Sequence, residues 1–92
     1  MTKEEFEKIR QLANRYDKVL AEMGVEKKLN PVGGTDLPHL RCMLEEISDI
    51  SARMSLTKRH RWLGFIQGVL CSHDIIFVSA ERDATRDILR GD

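Results

Sequence analysis

Apolar residues recur along the first quarter of the chain with a helical rhythm. Phe6, Ile9, Ala13, Tyr16, Leu20 and Met23 follow one another at spacings of three and four, with Leu12 and Val19 widening the stripe. That is the period of one helix face turned to a core. The pattern predicts a helix over Thr2–Met23. Thr2 followed by Glu5 is a capping-box signal, acids fill the first turn, and Gly24 can take the left-handed conformation that ends helices. The rhythm then breaks over Val25–Asp36, "VEKKLNPVGGTD", where Asn30-Pro31 and Gly33-Gly34 mark a loop. A second helix is predicted from Leu37 to Met54, capped by Thr35 or Asp36, with Pro38 in its first turn. Its inward set is Leu40, Met43, Leu44, Ile47, Ile50 and Met54, and its i,i+4 ion pairs are Arg41 with Glu45 and Asp49 with Arg53.

The short connection "SLT" at 55–57, with Thr57 as cap, makes the second and third helices antiparallel neighbours. The third helix, Lys58–Ser72, turns Trp62, Phe65, Ile66, Val69 and Leu70 inward. In "HDIIFVS", Ile75–Val78 has the β-propensity of an edge strand, but no second strand is visible, so it reads as an apolar loop packed on the hairpin. Ser79 caps a last helix, Ala80–Arg90, with Ala84, Ile88 and Leu89 inward. The expectation is one all-α domain over residues 1–92: an antiparallel helical hairpin with a long N-terminal and a short C-terminal helix.

Composition narrows the function. A chain of 92 residues buries roughly 60–65% of its unfolded surface, so its core is thin and a homo-oligomer is expected. Lys+Arg and Asp+Glu number 15 each. A zero balance disfavours a general nucleic-acid coat, which needs a basic excess, but allows a local basic pocket. No apolar run approaches the length of a membrane span. Cys42 and Cys71 form no C-x-x-C pair and "MTKEEFEKIR" is charged from its third residue, which reads as a cytoplasmic protein with reduced thiols.

The stretch "KRHRWLGFIQGVL", Lys58–Leu70, carries two local costs. Lys58, Arg59, His60 and Arg61 crowd the first turn of a helix, where cations oppose the macrodipole by a few tenths to ~1 kcal/mol each. Pairing with Glu46 or Asp49 would offset them. So would a bound phosphate or carboxylate, which helix N-termini with Lys and Arg beside them favour. Trp62 next door, or Tyr16, offers a stacking surface. Gly64 and Gly68, with Ser72, form a row on one face, each glycine costing about 0.8–1 kcal/mol relative to alanine. Tight packing against the first or second helix is the expected return, with a subunit interface or a flat ligand as the other two. The "GGTD" run before the second helix (Gly33, Gly34, Thr35) could form an anion-cradling nest, with His39 one turn on.

Other chemistries find little support. His39, Cys42, Cys71 and His73 have poor spacing for a metal, so none is expected, nor any cofactor. Glu45 and Glu46 point about 100° apart on a helix and do not converge as an acid/base pair. The G-x-x-x-x-G-K-[ST] and nucleophile-elbow patterns are absent, so no catalytic residues are assigned and no enzyme is expected.

"RWLGFIQG" at Arg61–Gly68, preceded by "LPHLRCMLEEI" and followed by "ERDATR", resembles a group of small bacteriophage proteins over about Leu37–Arg86. A helical hairpin whose second helix opens Arg-Trp-Leu and later carries Gln is also similar to phage cyclic-nucleotide sponges of the anti-CBASS and anti-Thoeris type. Here Gln67 follows Trp62 by five residues, closer than in that pattern. The resemblance implies a counter-defence protein of the host cytoplasm that sequesters a small phosphorylated nucleotide without catalysis, with Arg61, Trp62 and Gln67 as positions to test. On the residues themselves, Lys58, Arg59 and Arg61 would neutralise phosphate, Trp62 or Tyr16 would stack, and Gly33-Gly34 would add backbone donors. The alternatives are an inhibitor of a host protein acting through an apolar-acidic helix face and, third, a nucleic-acid accessory protein.

Overall fold

A computed structural model describes residues 2–28 and 36–76 of the chain. Among these, three helices form and no strand does: α1 (Lys3–Glu22), α2 (Leu37–Ile47) and α3 (Leu56–Ser72). The loop glycines Gly33 and Gly34, Thr35, Phe77, Val78 and the expected Ala80–Arg90 helix lie outside the described residues.

α1 is long because both ends are fixed. The Thr2 hydroxyl accepts from the Glu5 N–H at 3.1 Å, and the Glu5 carboxylate accepts from the Thr2 N–H at 2.9 Å. Both bonds satisfy donors that the helix start leaves orphaned. At the other end Gly24 sits at φ +83°, the Gly24 N–H reaches the Ala21 carbonyl and the Val25 N–H the Leu20 carbonyl. This paired closure is the Schellman arrangement, which glycine permits without a Cβ clash. α3 closes in the same way without a glycine. Asp74 takes φ +57°, its N–H bonds Cys71 O, and the Ile75 N–H bonds Leu70 O.

α2 is seven residues shorter than its apolar pattern predicts. The polar residues after Ile47 compete for the backbone. The Ser48 hydroxyl donates back to Leu44 O at 2.9 Å. Asp49 Oδ1 accepts from both the N–H and the hydroxyl of Ser51, at 2.9 and 2.7 Å. The chain therefore turns at 48–54 instead of continuing. Ile50 is left outside, 64% exposed, whereas Met54 still reaches the core from the non-helical connection. Neither expected ion pair of this helix forms. Arg41 instead clamps Asp17 of α1 at 2.7 and 3.1 Å and donates to Val25 O at 2.7 Å, and Glu45 pairs with Lys27 at 2.6 Å. Partners in α1 and in the segment that follows it won over i,i+4 neighbours, and they tie α2 to that part of the chain.

The core joins Ile9, Leu12, Ala13, Tyr16 and Leu20 of α1 to Leu40, Leu44 and Ile47 of α2, Met54, and Leu63, Ile66, Val69 and Leu70 of α3. Fully burying one such aliphatic side chain contributes about 1.5–3 kcal/mol. α3 begins two residues earlier than predicted. Ser55, not Thr57, is its cap, the hydroxyl accepting from the Lys58 N–H at 3.1 Å. Leu63 is fully buried and Phe65 43% exposed, reversing the expected place of Phe65. Ile75 and Ile76 lie half-buried against the core in irregular backbone.

Candidate functional site

The four residues of the basic block part company at the start of α3. Arg59 points straight inward and is 1% exposed. Its guanidinium donates to the carbonyls of Ile47, Asp49 (3.2 Å), Ala52 (3.0 Å) and Met54 (3.2 Å), and it lies 5.1 Å from the centre of the Phe6 ring. A planar fork with five donors is the side chain best suited to gather several carbonyls at once. α2 has no basic residue in its own last turn. Arg59 supplies that cation from the next helix, at the negative end of the α2 macrodipole. It is thus part of the interior and not a phosphate contact, which corrects the expected ligand set. The offset anticipated for its charge exists, but it comes from backbone carbonyls and not from carboxylates.

Tyr16 also leaves the set. It is fully buried in the core, where its hydroxyl accepts from Gln67 Nε2 at 3.1 Å. A ring with no exposed face cannot stack on a ligand. Burial pushes its phenol pKa up, opposed by the Gln67 bond and the Arg15 charge. Gln67, half-buried, is occupied in holding α3 to α1. His39 is half-buried in the first turn of α2, and Gly33, Gly34 and Thr35 lie outside the described residues.

What remains is a compact surface on one flank of α3. The Lys58 ammonium lies 5.0 Å over the Trp62 ring, which is half-buried against the core. Arg61 is exposed and forms no ion pair among the described residues. Phe65 follows one turn on, 43% exposed. Positions 58, 61, 62 and 65 stand at i, i+3, i+4 and i+7, so they share one side over about 10 Å of helix. α3 contains no acidic residue. The patch therefore pairs two cations with two aromatic rings and no competing carboxylate on its own helix. Phe65 was missed as a surface residue because an apolar side chain at helical spacing reads as core. Its i+4 relation to Arg61 was the available clue.

The glycine row faces outward too. A Cβ built on Gly64 or Gly68 would meet nothing within 4 Å among the described residues. The expected packing of this row against α1 or α2 is thus not what the structure has. α1 and α2 meet α3 through Leu63, Ile66 and Leu70 on the opposite side.

A groove of about 590 Å³ opens at the other end of the molecule, lined by Gly24, Val25, Glu26, Lys28, Asp36, Leu37, Pro38 and His73. It lies at the end of α1, the start of α2 and the end of α3, away from the basic flank. Among the described residues no group of three or more His, Cys, Asp and Glu is placed to hold a metal, and no helix is long and apolar enough to cross a membrane. No family model, curated protein or solved structure matches the chain.

Proposed function

We propose that this chain is a non-catalytic binding protein for a small phosphorylated nucleotide, in the manner of the phage counter-defence proteins that sequester such signals in the host cytoplasm. The observation that carries the reading is the flank Lys58–Arg61–Trp62–Phe65 on an acid-free helix. Phosphate is neutralised by Arg61 and Lys58, and a base stacks on Phe65 and the exposed part of Trp62. Lys58 leaves the Trp62 ring to meet the anion, exchanging a cation–π contact of about 0.5–1 kcal/mol for a charge-assisted hydrogen bond. Within this reading α2 and α3 form an antiparallel hairpin, which Arg59 of the α3 start supports by holding the Ile47 carbonyl of the α2 end. The active species is a homo-oligomer.

Thermal shift and calorimetry against cyclic dinucleotides, cyclic trinucleotides and ADP-ribose derivatives test the proposal. A ligand at one hundred times its Kd adds about 2.7 kcal/mol of stability. Arg61→Glu is expected to abolish that gain without lowering the melting temperature of the free protein. Absence of a shift with every member of the panel sinks the reading.

A second reading has its own observation. Ile50 stands 64% exposed beside Glu46 and Asp49, both exposed, at the α2–α3 turn. This is an apolar-acidic patch of the kind an inhibitor of a basic host protein would use. Capture of a host protein that Ile50→Asp prevents, with no nucleotide shift, would favour it.

A further inference from the structure

We infer that Lys58 makes the α3 flank selective for phosphorylated over unphosphorylated nucleosides, because its ammonium covers the Trp62 ring until an anion draws it away. The inference rests on the binding reading above and names the class of ligand that the site refuses. Trp62 is half-buried against the core, so only part of its side chain meets solvent. The Lys58 ammonium lies over that ring, 5.0 Å from its centre. A planar base has to take the place of the ammonium to stack there.

A second arginine-on-ring contact shows why this cover is exchangeable. Arg59 lies 5.1 Å from the centre of the Phe6 ring, but its guanidinium is buried and held by four backbone carbonyls. Lys58 is half-buried and forms no ion pair among the described residues. α3 has no acidic residue to hold it. A cation over an aromatic ring near the surface is a weak contact, whereas a phosphate offers it opposite charge and strong acceptor oxygens. Arg61 stands exposed three positions on, along the same side of the helix, and adds a second cation for that anion. A nucleotide thus supplies both halves of the exchange: its phosphate takes the ammonium and its base takes the ring. A nucleoside supplies the base alone and displaces the cation without giving it a partner. The strength of the contact sets that penalty at about two- to fivefold in affinity.

Trp62 is the only tryptophan, so its emission reports the ring directly. Inorganic phosphate, compared with chloride at equal ionic strength, should change the emission of the wild type and leave Lys58→Ala unmoved. Adenosine should act on Lys58→Ala at a concentration about two- to fivefold lower than on the wild type. Adenosine monophosphate should need a higher concentration on Lys58→Ala, which has lost the cation. One substitution that strengthens the nucleoside and weakens the nucleotide is not the mark of a damaged fold, and Lys58→Arg should restore the wild-type order. A wild type indifferent to phosphate overturns the inference, as does Lys58→Ala that prefers adenosine monophosphate more than the wild type does. Nucleotide binding with adenosine midpoints unchanged by Lys58→Ala, or with adenosine acting on neither protein, overturns the inference alone. Adenosine monophosphate and the whole nucleotide panel without effect on the wild type take down the binding reading, and this inference with it.

Discussion

The two sides of α3 use the same residue types for opposite ends. On the inner side Arg59 is buried among four carbonyls and a phenyl ring, with Leu63, Ile66 and Leu70 completing the core. On the outer side Arg61 and Phe65, also a cation and an aromatic, stand in solvent beside two glycines. The difference shows that a cation at a helix start is not one kind of feature. Arg59 answers a need inside the fold, the unsatisfied carbonyls where α2 ends. Arg61 has no ion-pair partner among the described residues, and the proposed binding surface is built on it.

Substitutions can widen or erase that contrast. The largest effect is expected on the inner side. Arg59→Leu strands the Ile47 and Met54 carbonyls in the interior and should cost about 3 kcal/mol, at roughly 1–3 kcal/mol per unsatisfied buried group. Leu63→Ala should cost about 2–5 kcal/mol, whereas Phe65→Ala, two residues away, should change the dilute protein by less than about 0.5 kcal/mol. Urea unfolding of the three variants measures the comparison. Equal losses at 63 and 65 would mean that the outward face is not outward.

The next effect has the opposite sign. Gly64→Ala and Gly68→Ala should each stabilise the dilute chain by about 0.8–1 kcal/mol, because the added methyl meets nothing among the described residues and the helix gains propensity. Asp74→Gly should also stabilise, by up to about 1 kcal/mol, since glycine takes the left-handed conformation at the α3 end without the Cβ clash that aspartate bears. Melting temperatures at low protein concentration read all three. A fall for either alanine variant would point to a neighbour close over the glycine row.

The smallest effect concerns pH. The bonds from the Ser51 hydroxyl and N–H hold the Asp49 carboxyl below the ordinary range, helped by the Arg59 charge. A depressed carboxyl contributes stability that is fully present above its unfolded pKa and is lost as pH falls through its lower folded value. Acid should therefore loosen the turn at Asp49 and Ser51 beside Arg59, and Ser51→Ala should shrink that dependence. α3 itself has no carboxylate to titrate, so exchange of the Arg61 and Phe65 amides should not follow the same acid transition. Amide hydrogen exchange between neutral pH and the acid limb distinguishes the two.

Much of the fold lay in local pattern. The capping box at Thr2 and Glu5, the Gly24 stop and the three-four rhythm of α1 are all short-range, so they could be read without knowing any neighbour. The end of α2 could not. Ile50 and Met54 both fit the helical spacing, and only the competition from Ser48, Asp49 and Ser51 ended the helix at Ile47. The candidate site was legible as a basic-aromatic stretch but not as a surface. Lys58, Arg61 and Trp62 share the surface flank of α3, while Arg59 and Tyr16 are interior.

The sequence by itself determined that this is a helical chain, where its first helix starts and stops, and that α3 would carry a surplus of positive charge and two glycines at their own energetic cost. Those properties follow from backbone propensity and capping, which act over a few residues. Only the tertiary structure decided which arginine is inside, which phenylalanine is outside and which way the glycines face. Adjacent helix positions differ by about 100° in direction, and the choice between them is made by the carbonyls and side chains that other helices bring within reach.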